Sequence, residues 1–213
     1  VFDPAVRQWG LLLEKYPRSA EAKGAGELIL DSFNRSKDYE NIEVWARRLK
    51  TAPAFSASAE QKKLDELIVG AVFKQGEQLA AAGAHGRSAQ AYLRAAREFP
   101  GESRAAQAAV NAEVEAKRAG DLATLAAAAT LLAEKFGDRK EVPEGLWIAA
   151  TTYQEIGSFA EAAGYHEQIA ARFRRSKYHK DAAFNAVLLR AAVGDEPGAI
   201  RAGEAFQRAY PRD

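Results

Sequence analysis

The residues with most scope for chemistry in this sequence are three histidines, His85, His166 and His179. A metal or acid-base site needs a second group at matching helical spacing, as in an HExxH pair, and no histidine here has one. His85 reads as a turn residue, and surface or packing roles are expected for all three. Cysteine is absent, which removes thiolate ligands, cysteine nucleophiles and disulfides together and leaves the redox compartment open. Gly24 and Gly26 lie in AKGAGELIL, inside a helical pattern and without the preceding strand that a phosphate-cradling loop requires, so they predict close helix packing. Acidic residues alternate with lysine and arginine along polar helix faces, the arrangement of solvated surfaces and not of an isolated acid-base pair. Asn34-Arg35-Ser36 fits the glycosylation pattern, which matters only in a secretory host pathway. The sequence therefore assigns no catalytic residue, no metal and no cofactor, and it reads as a non-enzyme.

Charge does not name a partner either. Lysine and arginine total 30 against 29 acidic residues, a net charge of +1, so no broad basic field is available for nucleic acid or an anionic membrane. The densest cluster is RFRRSKYHK, from Arg172 to Lys180, which reads as a solvated loop, with a grip on an acidic partner as the alternative. No apolar run approaches the roughly 20 residues of a membrane helix, and no direct membrane insertion is expected. Methionine is absent even at position 1, which leads to the expectation of a longer parent polypeptide.

The elements that would position any site are set by a repeat. Gly83, Gly120, Gly157 and Gly194 stand 37 residues apart, and 16 residues after each comes an aromatic: Phe99, Phe136, Phe173 and Tyr210. Proline follows the aromatic at Pro100 and Pro211, and Tyr16-Pro17 and Pro53 carry the pattern towards the N-terminus. Apolar residues recur three and four apart on both sides of each glycine, with no strand alternation, so each period is a helical hairpin. Glycine tolerates the positive φ of a helix C-terminus, and proline cannot continue the helix before it. The spacing predicts an N-terminal half repeat over 1–17 and repeats over 18–53, 54–100, 101–137, 138–174 and 175–211. The surplus in 54–100 falls near AFSASAEQKK, where Ser58 and Gln61 are expected to form a capping box opening a lengthened helix. Alanine-rich stretches such as LATLAAAATLLAEKF favour helix and close approach. A lone hairpin cannot cover its apolar face, so stability must come from stacking.

The stretch Gly145 to Phe173, GLWIAATTYQEIGSFAEAAGYHEQIAARF, resembles the tetratricopeptide (TPR) family. Leu146, Ala149, Ala150 and Tyr153 match its first-helix signature, Gly157 and Phe159 its turn, and Ala162 its small second-helix position. The second-helix aromatic is met by Trp9, Trp45 and Tyr92, but His166 and Gly203 occupy the slot later, and Arg190 replaces the first-helix tyrosine in the last repeat. The resemblance implies an all-α fold, a right-handed α-solenoid of about five hairpins plus the half repeat, forming a single domain over 1–213. It implies a noncatalytic protein-protein interaction scaffold. The 37-residue period and junctions such as YPRSAEA are similar to bacterial cell-envelope members, the outer-membrane assembly lipoproteins and Tol-Pal coordinators, which points to an envelope or periplasmic setting.

One row repeats with the period on the first helices: Phe73, Val110, Trp147 and Phe184. In the tetratricopeptide resemblance this position tends towards the concave groove. Beside it lie Val114, Thr151 and Leu188, and a turn further Lys117, Arg118 and Gln154, an apolar strip with a polar margin that suits a peptide or helix of a protein partner. The open alternative is that the row is buried between hairpins. A second function, a structural spacer or self-assembly module joining copies through exposed repeat ends, is kept beside the scaffold. Both ends read as cut, with the expectation that the natural chain continues or that they pack against another chain.

Overall fold

Every described element of the computed structural model is a helix or a turn; the structure describes residues 3–137 and 139–212. The chain divides into two compact units, Val1–Ala84 and His85–Asp213, with the boundary inside the repeat expected over 54–100. The first holds α1 (Asp3–Lys15), α2 (Ala20–Arg35), α3 (Tyr39–Lys50), a short 3-10 turn (Pro53–Phe55) and α4 (Ser58–Ala81). The second holds α5 (His85–Glu98), α6 (Ala105–Ala119), α7 (Leu122–Lys135), α8 (Val142–Glu155), α9 (Phe159–Arg172), α10 (His179–Ala192) and α11 (Glu196–Ala209). In each unit successive helices pack as hairpins, and in the second α8 also lies on α6. This is the all-α hairpin array that the period predicts.

The glycine landmarks become one backbone motif. Gly83, Gly120, Gly157 and Gly194 all have positive φ, between 69° and 80°. After Gly120, the Asp121 amide donates to the Ala116 carbonyl at 2.9 Å while the Gly120 amide donates to Lys117 at 3.1 Å. These are the paired bonds of a Schellman C-cap, which satisfy carbonyls the ended helix leaves open. The same pair recurs at the other three glycines, and at Lys37, whose φ of 55° puts a lysine where the repeat elsewhere has glycine. The next residue then opens the second helix: Asp38, Asp121 and Asp195 each accept an amide hydrogen three residues on, a side-chain N-cap. One dipeptide thus ends one helix and starts the next.

The aromatic landmarks end the second helices. Phe99, Phe136, Phe173 and Tyr210 each donate their amide four residues back, and the first three accept from the residue three further on. Phe136 and Phe173 are buried there, so the junction doubles as core.

In the first unit, the expected close packing is found at Gly26 and not at Gly24. A Cβ on Gly26 would meet Phe55 and Leu49 at 2.7–2.8 Å, whereas one on Gly24 would meet nothing. The capping box does not form. Ala57 caps α4 through its carbonyl alone, and the Gln61 amide instead donates back to the carbonyls of Lys50 and Phe55 at 2.9 and 2.8 Å. The carbonyls at the end of α3 and of the 3-10 turn have no helical partner, so they outbid the cap for the glutamine. The lengthened helix is present as α4, 24 residues long.

Candidate functional site

The first-helix row is heterogeneous. Phe73, in the first unit, is half-buried. In the second unit Val110 is 2% exposed and belongs to the core, so it has no surface to offer a partner. Trp147 is half-buried between two rings: it stacks on Tyr178 with centroids 5.1 Å apart and meets His166 edge-on at 5.2 Å. Phe184 and Leu188 are open, at 49% and 50% exposure, and Phe184 leans on Phe206 at 5.8 Å. Val114 and Thr151 are half-buried, and Lys117, Arg118 and Gln154 exposed. Lys117 crosses from α6 to α8 to pair with Glu155 at 2.7 Å. Arg118 pairs with the buried Glu115, whose other oxygen meets His85 at 2.6 Å. The accessible strip therefore runs over Val114, Thr151, Leu188 and Phe184, with an ion-paired margin.

The histidines occupy three unrelated settings. His85 is the first residue of α5 and not a turn residue. His179 is buried: its Nε2–H donates to the Ala170 carbonyl at 3.1 Å, so Nδ1 accepts from the Tyr210 hydroxyl at 2.5 Å. His166 is fully buried with neither ring nitrogen hydrogen-bonded, and burial pulls its pKa down to about 4. A second buried group has no counterpart in the sequence reading. Both oxygens of Glu113 lack a partner, the residue is fully buried, and burial together with the Glu144 charge holds its pKa well above the ordinary carboxyl range. It packs against Gly145, where a Cβ would come within 2.6 Å of its Oε2. Among the described residues, no three His, Cys, Asp or Glu side chains converge as metal ligands would.

A site that the sequence reading did not name lies between α9, α10 and α11, a cleft of about 620 Å³. Its floor is alanine, including Ala183 and Ala186 of α10 and Ala202 of α11. Arg190 crosses it with both carboxylate oxygens of Glu167 at 2.7 and 2.6 Å and Asp195 at 3.5 Å. The Glu167 bond raises the Arg190 pKa further. Arg174 and Arg201 also line it, and neither has an ion pair or hydrogen bond among the described residues. The signal was present in register: 37 residues earlier, Ala183, Arg190, Ala202 and Gly203 are Leu146, Tyr153, Tyr165 and His166. Alanine in place of leucine at 183 and of tyrosine at 202 removes bulk from the lining of the cleft.

No family model matches the sequence, and no curated protein matches it. Among solved structures, BtubC (BKLC) from P. vanneervenii is similar at a TM-score of 0.46 and 13% identity, over 97% of this chain and 87% of that one. PilW, a widely conserved type IV pilus biogenesis factor, is similar at a TM-score of 0.42 and 14% identity, over 98% of this chain and 94% of that one. Likenesses this loose carry neither function nor partner, and the helical-hairpin fold stands on the chain's own geometry.

Proposed function

We propose that the chain is a noncatalytic scaffold of the tetratricopeptide type, which holds a peptide or helical segment of another protein on the first-helix face of its second unit. The observation that carries this is the exposure of Phe184 and Leu188, two large apolar side chains one turn apart on α10. Side chains four apart share a helix face, so they present one apolar contact, which Thr151 and Val114 extend in the repeat register. Lys117, Arg118 and Gln154 supply the polar rim that interfaces carry around an apolar centre. A bound segment would bury Phe184 and Leu188, and since half of each is already covered, each would add about 1 kcal/mol.

The test uses the full chain in its native source, with a photo-crosslinking amino acid at Leu188 or, as control, at the exposed Gln207 of α11. Crosslinks to a protein from Leu188 and none from Gln207 are expected. Leu188→Glu should also abolish partner capture with an unchanged melting curve. Equal crosslinking at both positions, or capture unaffected by Leu188→Glu, would refute the assignment.

A further inference from the structure

We propose that the cleft between α9, α10 and α11 is a second docking site, which takes an acidic linear segment of a partner protein and seats one bulky apolar side chain of it over Ala183 and Ala202. The size suits this: about 620 Å³ falls in the range of pockets that enclose small ligands or peptide anchors. Ala183, Ala186 and Ala202 offer methyl groups, and Arg190, Glu167 and Asp195 beside them already satisfy one another, so an apolar side chain over the alanines strands none of those three.

Charge chooses the flanks of that segment. Of the five charged residues lining the cleft, Glu167 and Asp195 are both occupied by Arg190. Arg174 and Arg201 are left with no anion among the described residues, one on the α9–α10 junction and one on α11. Arg175, exposed and likewise unpaired, and Lys177 extend the positive side along the junction. Guanidinium groups bind carboxylates with paired, directional hydrogen bonds, so carboxylates on either side of the apolar anchor complete the fit. A nucleic-acid strand fits less well, because no Phe, Tyr or Trp lines the cleft to stack bases and the net charge is only +1. The site is also separate from the strip of the proposed function. Ala183, Ala186 and Arg190 project from a different face of α10 than Phe184 and Leu188, so the two sites fail or survive independently.

Fluorescence anisotropy with the full chain tests this, using labelled Asp-Glu-Leu-Phe-Glu-Asp against Asn-Gln-Leu-Phe-Gln-Asn and Asp-Glu-Ala-Ala-Glu-Asp. The first peptide should bind at least about tenfold more tightly than either control, and its affinity should fall as salt is raised. Arg174→Glu with Arg201→Glu should lose about tenfold or more of that binding. Ala183→Leu with Ala202→Tyr, which restores residues of the preceding repeat, should abolish it while the melting temperature holds or rises. Leu188→Glu should leave it unchanged. Equal binding of the neutral peptide, undiminished binding by the filled variant, or no binding of the acidic peptide at any concentration would each overturn the proposal. So would a dimer of this chain that Ala202→Tyr dissociates, since a second copy would then be the occupant.

Discussion

Two consecutive hairpins, α8–α9 and α10–α11, share a register, a Schellman turn and an aromatic junction, yet the cleft between α7 and α9 measures about 380 Å³ and its register counterpart between α9, α10 and α11 about 620 Å³. In α8–α9, Leu146 is fully buried and Tyr153 and Tyr165 stack with centroids 5.7 Å apart. Tyr153 packs against two adjoining core clusters, and burial, with Tyr153 and Glu113 adding, pushes the Tyr165 hydroxyl up to about 12. In α10–α11 alanine, arginine and alanine stand at those three positions. The backbone frame does not depend on them, because its hydrogen bonds are local; the cleft is the wider one where Ala202 stands in place of Tyr165. Repeat geometry and repeat filling are therefore separate variables, and a cleft can be widened by shrinking side chains while the turns and junctions stay the same.

The sharpest way to break the contrast is to empty the filled hairpin. Leu146→Ala should destabilise the chain by about 2–5 kcal/mol, the cost of lost burial plus a cavity, whereas its counterpart position is already alanine. Chemical denaturation reads this directly; a loss under about 1 kcal/mol would mean that the packing around Leu146 is already loose.

Ionisation separates the hairpins next. His166 has a folded pKa of about 4 against an ordinary 6.5, so between those values the unfolded chain binds the proton that the folded chain refuses. Stability then falls with acidification, by about 3 kcal/mol over the window at 1.36 kcal/mol per unit. Glu113 has the opposite sign. Its folded pKa is raised, so stability is full below the ordinary carboxyl value and declines as pH rises above it. The two slopes oppose one another in mildly acidic solution. His166→Phe should remove the acid-side loss, and Glu113→Gln should stabilise at pH 7 by about 1–3 kcal/mol with that advantage disappearing below about pH 4.5. Melting temperatures of the two variants across pH 4–8 check both signs. Gly203 stands where His166 does, so the α10–α11 hairpin adds no matching histidine slope. Parallel pH profiles for wild type and His166→Phe would contradict the buried, neutral imidazole.

Filling the open hairpin comes third in size. Ala183→Leu with Ala202→Tyr should raise stability by about 0.5–2 kcal/mol as a cavity-filling change. A loss instead would show that α10 and α11 cannot admit the side chains their neighbours hold.

How much of this was legible follows from what each residue answers to. The hairpins were readable because glycine and the junction aromatic act on their own backbone, within five residues. Lys37 was not, since a lysine in the left-handed region announces nothing in sequence. The bonds of Gln61 were not legible either, because its acceptors, Lys50 and Phe55, depend on where α3 and the 3-10 turn come to rest. The row of Phe73, Val110, Trp147 and Phe184 was visible as a period, but burial of Val110 and exposure of Phe184 are set by the neighbours' volumes. The cleft is the extreme case. Arg190 and Gly203 were visible as departures, yet only the loss of bulk at Ala183 and Ala202 together turns departures into space.

The smallest expected effect concerns the ion pair that replaces the tyrosine stack. Arg190 meets Glu167 with a two-pronged contact at 2.7 and 2.6 Å, but the Glu167 side chain is 37% exposed, so solvent screens much of the attraction. Glu167→Gln should therefore cost only about 0.5–1 kcal/mol, with the loss shrinking further in high salt. Arg190→Tyr is the more telling change when combined with Ala202→Tyr. The two rings should stack as Tyr153 and Tyr165 do, and the double variant should melt above the sum of its single variants. The aromatic coupling expected is about 0.5–1.5 kcal/mol. Strict additivity in that cycle would mean that the two hairpins share a backbone pattern but not the inter-helix distance that makes their side chains interchangeable.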